Sequence, residues 1–107
     1  MSELASKKCQ ACEAGAPPLG PDRAAELHSQ LNPGWVLHAD KIERQFEFAN
    51  FTQAFGTATK VALLAENQGH HPDFEIGWGR LGLVLTTHAV KGLSENDFIM
   101  AAKIDEL

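Results

Sequence analysis

A chain of 107 residues has room for one domain built on one core. Its 44% apolar and 21% charged residues are ordinary for a globular protein and exclude a disordered or fibrous one. Nine Lys and Arg against 14 Asp and Glu give a net charge of -5 with no basic stripe, so direct nucleic-acid binding is not expected. No apolar run approaches the roughly 20 residues that span a bilayer, and the N-terminus lacks the apolar stretch of a signal peptide. A cytoplasmic protein with no membrane partner is the expectation.

In chain order, residues 1–20 read as a polar tail carrying a C-x-x-C pair, Cys9 and Cys12, with residues 21–107 as the domain. The pair offers a zinc half-site, a redox dithiol or a quiet reduced tail. The last is favoured, because a structural zinc site needs four ligands and no second pair occurs. Deleting Met1 through Ala16 is accordingly expected to leave the fold nearly unchanged.

Asp22 can cap a short helix in which Ala24, Leu27 and Leu31 recur at helical spacing until Asn32-Pro33-Gly34 breaks it. Trp35 starts a strand. Beyond the Ala39-Asp40-Lys41 turn, Ile42, Phe46 and Phe48 share one parity and Glu43, Gln45 and Glu47 the other, with Arg44 as the irregularity in a half-buried strand. Asn50 and Gln53 form a capping-box arrangement that opens the strongest helix, and Gly69 ends it. Its stripe of Phe51, Phe55, Ala58, Ala62 and Ala65, widened by Ala54, Val61 and Leu64, can bury more than one side, against a sheet or a second copy of the chain.

Two strands follow, Asp73 to Trp78 and Leu81 to Thr87, with His88 continuing the second. Ser94 caps a final helix with Asp97 at its third position, and Leu93 can staple against Phe98. The order α-β-β-α-β-β-α favours an α+β fold: a four-stranded antiparallel sheet with helices packed on one face. Gly77-Trp78-Gly79-Arg80-Leu81-Gly82 matches the dinucleotide fingerprint G-x-G-x-x-G, but it joins two strands rather than feeding a helix, so it reads as a turn with a close approach at Gly82.

Chemistry concentrates in Glu66, His70, His71, Pro72, Trp78, His88 and Asp97. Three imidazoles that only folding could bring together suit proton transfer near neutral pH. The plainer readings are polar loop histidines, a capping role for Asp97 and a core aromatic at Trp78. A metal set of the histidines with Glu66 is disfavoured, because adjacent histidines on an extended segment point apart. His28 and His38 have no partner signal and read as surface or half-buried residues.

The linked spacing of Glu66, His70-His71-Pro72, Trp78, His88 and Asp97 resembles the signature of the pterin-4a-carbinolamine dehydratase family. Gly34-Trp35, the run Phe46 through Phe55, Gly69, Thr87-His88 and Gly92-Leu93-Ser94 extend the resemblance from about Pro21 to the C-terminus, and the cysteine tail and the ending Asn96 through Lys103 look like bacterial members. The resemblance implies dehydration of 4a-hydroxytetrahydropterin to quinonoid dihydropterin without metal or organic cofactor, in tetrahydrobiopterin recycling beside an aromatic amino-acid hydroxylase. It implies His70 and His88 as the acid/base pair, His71 as a catalytic group that binds and polarises the substrate, Glu66 as an imidazole partner or a pterin-binding group, Trp78 as a wall, and Pro72 and Asp97 as supports.

The resemblance also implies a homodimer or homotetramer, through sheet continuation and helix packing. Animal members serve besides as dimerisation cofactors for a transcription factor, so a non-enzymatic binding module is the alternative. Two departures stand out: some members carry an acidic residue where this chain has Gly69 and a basic one where it has Asn96, so contacts made by those side chains are not expected here.

Overall fold

In the computed structural model, which describes residues 3–107, the expected α+β architecture is present with two short elements more than the sequence suggested. Strands β1 (Val36–Leu37), β2 (Ile42–Glu47), β3 (Asp73–Gly77) and β4 (Arg80–Leu85) form one antiparallel sheet in the order β1-β2-β4-β3. Helices α2 (Pro21–His28), α3 (Phe51–Gln68) and α4 (Glu95–Asp105) are joined by a short α1 (Glu3–Ser6) in the segment read as a tail.

Alternation along the strands decides which face the helices cover. Ile42 lies opposite Leu85, Arg44 opposite Leu83 and Phe46 opposite Leu81, so these residues share a face; the three leucines and Ile42 are sealed. The irregular Arg44 belongs to that face for a reason. Its guanidinium reaches Asp105 at the end of α4 at 2.6 Å and lies over the Phe46 ring, while Asp105 also accepts from the Trp35 indole and the Asn32 amide. One carboxylate thus binds the end of α4 to the sheet.

Helix α3 begins and ends as its sequence dictates: Asn50 accepts from the Gln53 amide, and Gly69 takes the left-handed conformation at φ 67° that terminates it. Its buried stripe is narrower than expected. Ala54, Ala58, Val61 and Ala65 face the core, whereas Phe51 and Phe55 are exposed and stack on each other. Helix α2 starts at Pro21 with Gly20 as its cap, so Asp22 falls in the first turn instead of capping it; proline suits that first position because its missing N–H would have no helical partner.

Strands β3 and β4 meet in the tight Trp78-Gly79 turn, where Gly79 has φ 72° and its carbonyl accepts from the Phe48 amide. Gly82 makes room for the Gln45 side-chain amide, which an added Cβ would meet at 2.8 Å. The glycine-rich hexapeptide therefore serves a hairpin. β4 stops at Leu85, short of the expected Thr87, and His88 opens a 3-10 turn (His88–Val90) instead of continuing the strand. The chain turns there because Thr87 pairs back to Gly92, which closes the loop.

The N-terminal segment overturns the expectation of a detached tail; its Met1 and Ser2 lie outside the described residues. Leu4 and Ala5 are buried in the main core, and α1 packs on α4. Lys103 donates to the Ala5 carbonyl at 2.7 Å, Gly15 to that of Ala89, and Leu19 to that of Leu93. This outer layer explains why α4 is buried almost all round. No helix among the described residues is long and apolar enough to cross a membrane.

Candidate active site

His70 is delivered by the end of α3. The left-handed Gly69 and the amide of His70 both bond back to the Ala65 carbonyl, which turns the chain sharply out of the helix. The His70 ring then meets the start of α4, where its Nε2 lies 2.6 Å from Asp97 Oδ1. The His70 side chain is 12% exposed and Asp97 is 0% exposed.

The second oxygen of Asp97 accepts from the Thr87 hydroxyl at 2.8 Å and from the Ser94 amide at 3.0 Å, and the Ser94 hydroxyl lies 2.7 Å from that of Thr87. Asp97 is therefore both a capping residue, as expected, and the partner of His70. Because Thr87 and Ser94 occupy Oδ2 as donors, that carboxylate faces the imidazole as an acceptor, so His70 carries its proton on Nε2.

His71 goes elsewhere: its Nε2 lies 2.6 Å from Glu66 Oε1, on an exposed pair. The two adjacent imidazoles are thus held by different carboxylates, one sealed and one solvated. Glu66 pairs with His71 and not with His70. Pro72, between His71 and β3, is buried.

His88 is exposed at the first position of the 3-10 turn, directly after Thr87. The Asp97 carboxylate therefore fixes both the His70 ring and the residue that precedes His88. Trp78 is 73% exposed in the hairpin turn, so the alternative of a core aromatic is excluded. His28 bonds the Trp35 carbonyl and His38 pairs with Glu43, both away from this network. No group of three His, Cys, Asp or Glu side chains among the described residues is arranged to hold a metal ion.

Thr87 and Ser94 were not singled out by the sequence as site residues, although the spacing of Ser94 and Asp97 gave the capping box and Thr87 adjoins a candidate histidine. Asn96 entered the sequence reading only as a departure from the family pattern, with no contact expected of it. Its side chain bonds both the N–H and the carbonyl of Gln10, and its Nδ2 reaches Cys12 Sγ at 3.4 Å.

The model of the family described as pterin 4 alpha carbinolamine dehydratase matches residues 17–107. The chain belongs to this family. Among its relatives, a protein of Alkaliphilus metalliredigens, provisionally named a pterin-4-alpha-carbinolamine dehydratase, is 44% identical over 99% of this chain and 96% of its own. One of Rubrobacter xylanophilus with the same provisional name is 46% identical over the whole of both chains. A crystal structure from Brucella melitensis, described as a transcriptional coactivator/pterin dehydratase, superposes with a TM-score of 0.76 at 34% identity, covering 83% of this chain and 96% of that one. The family's match begins at residue 17, beyond Cys9 and Cys12, while the two bacterial relatives align through the N-terminal segment as well.

Proposed function

We propose that the protein dehydrates 4a-hydroxytetrahydropterin to quinonoid dihydropterin, with His70 and His88 as its proton-transfer groups. The observation that carries this reading is the His70–Asp97–Thr87 chain, which orients one imidazole and anchors the segment that bears the next. Family membership and the names of the relatives supply the substrate class.

The elimination is redox-neutral. The C4a–O bond breaks as one group protonates the departing hydroxyl, while a second accepts the proton of ring nitrogen N5 and the C4a=N5 bond forms. With Nε2 of His70 engaged by Asp97, Nδ1 is the nitrogen left to exchange that proton. His88, exposed and directly after Thr87 in the chain, supplies the complementary transfer. His71, polarised by Glu66, binds the pterin, and the exposed Trp78 offers a wall from the hairpin. Each positioned transfer contributes roughly 10² to 10⁴ in rate, enough for the enzyme to keep pace with a hydroxylase that generates the carbinolamine.

The same reading extends to assembly. Phe55, Phe74 and Ile76 are exposed along an apolar groove between α3 and the edge strand β3. An unpaired edge beside such a groove suits a second copy of the chain, giving a homodimer or homotetramer. A binding-module role draws on the coactivator description of the Brucella structure and would use this same apolar face.

The deciding experiment is dehydration of freshly generated 4a-hydroxytetrahydropterin by the purified protein, with and without chelator. Accelerated loss of the carbinolamine absorbance in both is expected. A rate equal to that in buffer, from folded protein, would remove the enzymatic reading and promote the binding-module one.

A further inference from the structure

The C-x-x-C arm joins the ends of the two helices that hold the His70–Asp97 pair. The Cys9 amide donates to Gln68 Oε1 at 3.1 Å, and Gln68 is the last residue of α3, two positions before His70. The Cys9 thiol donates to the Asn96 carbonyl at 3.7 Å, and the Asn96 carboxamide closes a two-way pairing with the Gln10 backbone, one position before Asp97. Cys12 Sγ completes the clasp by accepting from Asn96 Nδ2. Asn96 is itself buried, so its carboxamide would be unsatisfied if the arm left.

This geometry differs from a surface tail that merely covers apolar area. One short segment is fastened to the exit of α3 and to the first turn of α4, and the gap between those two points is the one the 2.6 Å His70–Asp97 contact must span. A side chain held by a bond that short tolerates little displacement of either backbone, and supporting residues of this kind commonly change activity by 10- to 100-fold when removed.

We propose that Asn96 and Gln68, clasped by the Cys9–Cys12 arm, are positioning residues that hold α3 and α4 at the separation His70 and Asp97 require for catalysis. Neither residue touches the substrate; both act through the His70–Asp97 pair. The proposal rests on the reading of His70 as a proton-transfer group, but the arrangement it describes can be measured without turnover.

The test uses the full chain with Asn96→Ala and, separately, Gln68→Ala, which removes the Cys9 amide contact and an exposed bond to Asn67 and spares the folding core. In the wild type, ¹⁵N shifts of the His70 ring should report a single tautomer protonated at Nε2. In Asn96→Ala the ring should become a mixture of tautomers, with kcat per folded molecule down about 10-fold and KM within twofold. Gln68→Ala should show the same direction at about 3-fold.

A purely structural clasp would lower thermal stability and leave the tautomer and kcat of the folded fraction unchanged. That result in Gln68→Ala would overturn the proposal even if Asn96→Ala failed to fold. If the wild type did not dehydrate the carbinolamine, the reaction assigned above would fall, while the tautomer measurement would still decide whether the arm holds the pair.

Discussion

Asp97 and His70 meet at 2.6 Å across the junction of two helices that are far apart in sequence, with the carboxylate closed to solvent and its second oxygen occupied by Thr87 and Ser94. A buried carboxylate so placed does two jobs at once: it caps the start of α4 and sets which ring nitrogen of His70 carries the proton. Separating the two is informative.

Asp97→Asn preserves shape and some capping but replaces a pure acceptor by a group that can donate to the ring. Turnover should fall about 10- to 100-fold per folded molecule. Asp97→Ala should in addition lower stability by about 2–4 kcal/mol, because Thr87, Ser94 and His70 all lose an acceptor in a buried setting. Urea denaturation read beside turnover distinguishes the two; an Asn variant with wild-type turnover would show that the carboxylate acts only as a cap.

Replacing His70 or His88 by Ala should cut kcat by roughly 10² or more, and the double variant should approach the uncatalysed rate. His71→Ala should act chiefly on KM. The carbinolamine assay under saturating substrate reads these effects directly, and a double variant that kept most of its turnover would end the acid/base assignment.

Much of this fold was legible because its signals are local. The caps at Asn50 and Ser94, the stop at Gly69 and the alternation around Ile42 and Leu81–Leu85 each depend on neighbours in sequence. What escaped depends on distant partners. Arg44 looked irregular until Asp105 supplied its counter-charge, and Leu4 looked like part of a polar tail because a single turn of helix carries too little periodicity to announce a buried face. In the site, the spacing pointed to the three histidines and to Asp97. It could not say which carboxylate serves which imidazole, because His70 and His71 are adjacent and only the turn after Gly69 sends them apart.

Leu4 gives the sharpest check on the N-terminal segment. It is 2% exposed against α4, so Leu4→Ala should cost about 2–3 kcal/mol, and removal of residues 1–16 should cost at least as much. Thermal or urea unfolding of the variants measures both. Unchanged stability would mean that α1 does not stay docked in solution.

Cys9 makes a pH-dependent contribution. Burial pushes its thiol up to about 11, opposed by the Lys103 ammonium and reinforced by Asp97 and Cys12. A thiol whose proton is held more tightly in the folded state favours folding below the unfolded value, and that contribution disappears as pH rises from about 9 through about 11. The wild type should therefore lose stability across this window more steeply than Cys9→Ala, in which the titrating group is gone. Parallel stability curves for the two proteins would show that the thiol is not shielded by the arm.

The apolar groove between α3 and β3 makes the final prediction. Phe55 is 53% exposed and Phe74 37%, with Ile76 beside them on the sheet's free edge, a combination that leaves both apolar surface and strand hydrogen-bonding groups open. If a second copy covers this face, the protein should sediment above its monomer mass at micromolar concentration, and Phe74→Asp should shift it toward monomer while leaving the secondary structure intact. A charge placed there would have to be desolvated in the assembled form but remains hydrated in the monomer, so the substitution acts selectively on association. A wild type that is monomeric at all concentrations tested, or a Phe74→Asp variant that associates as well as the parent, would show that a second copy of the chain does not cover the groove.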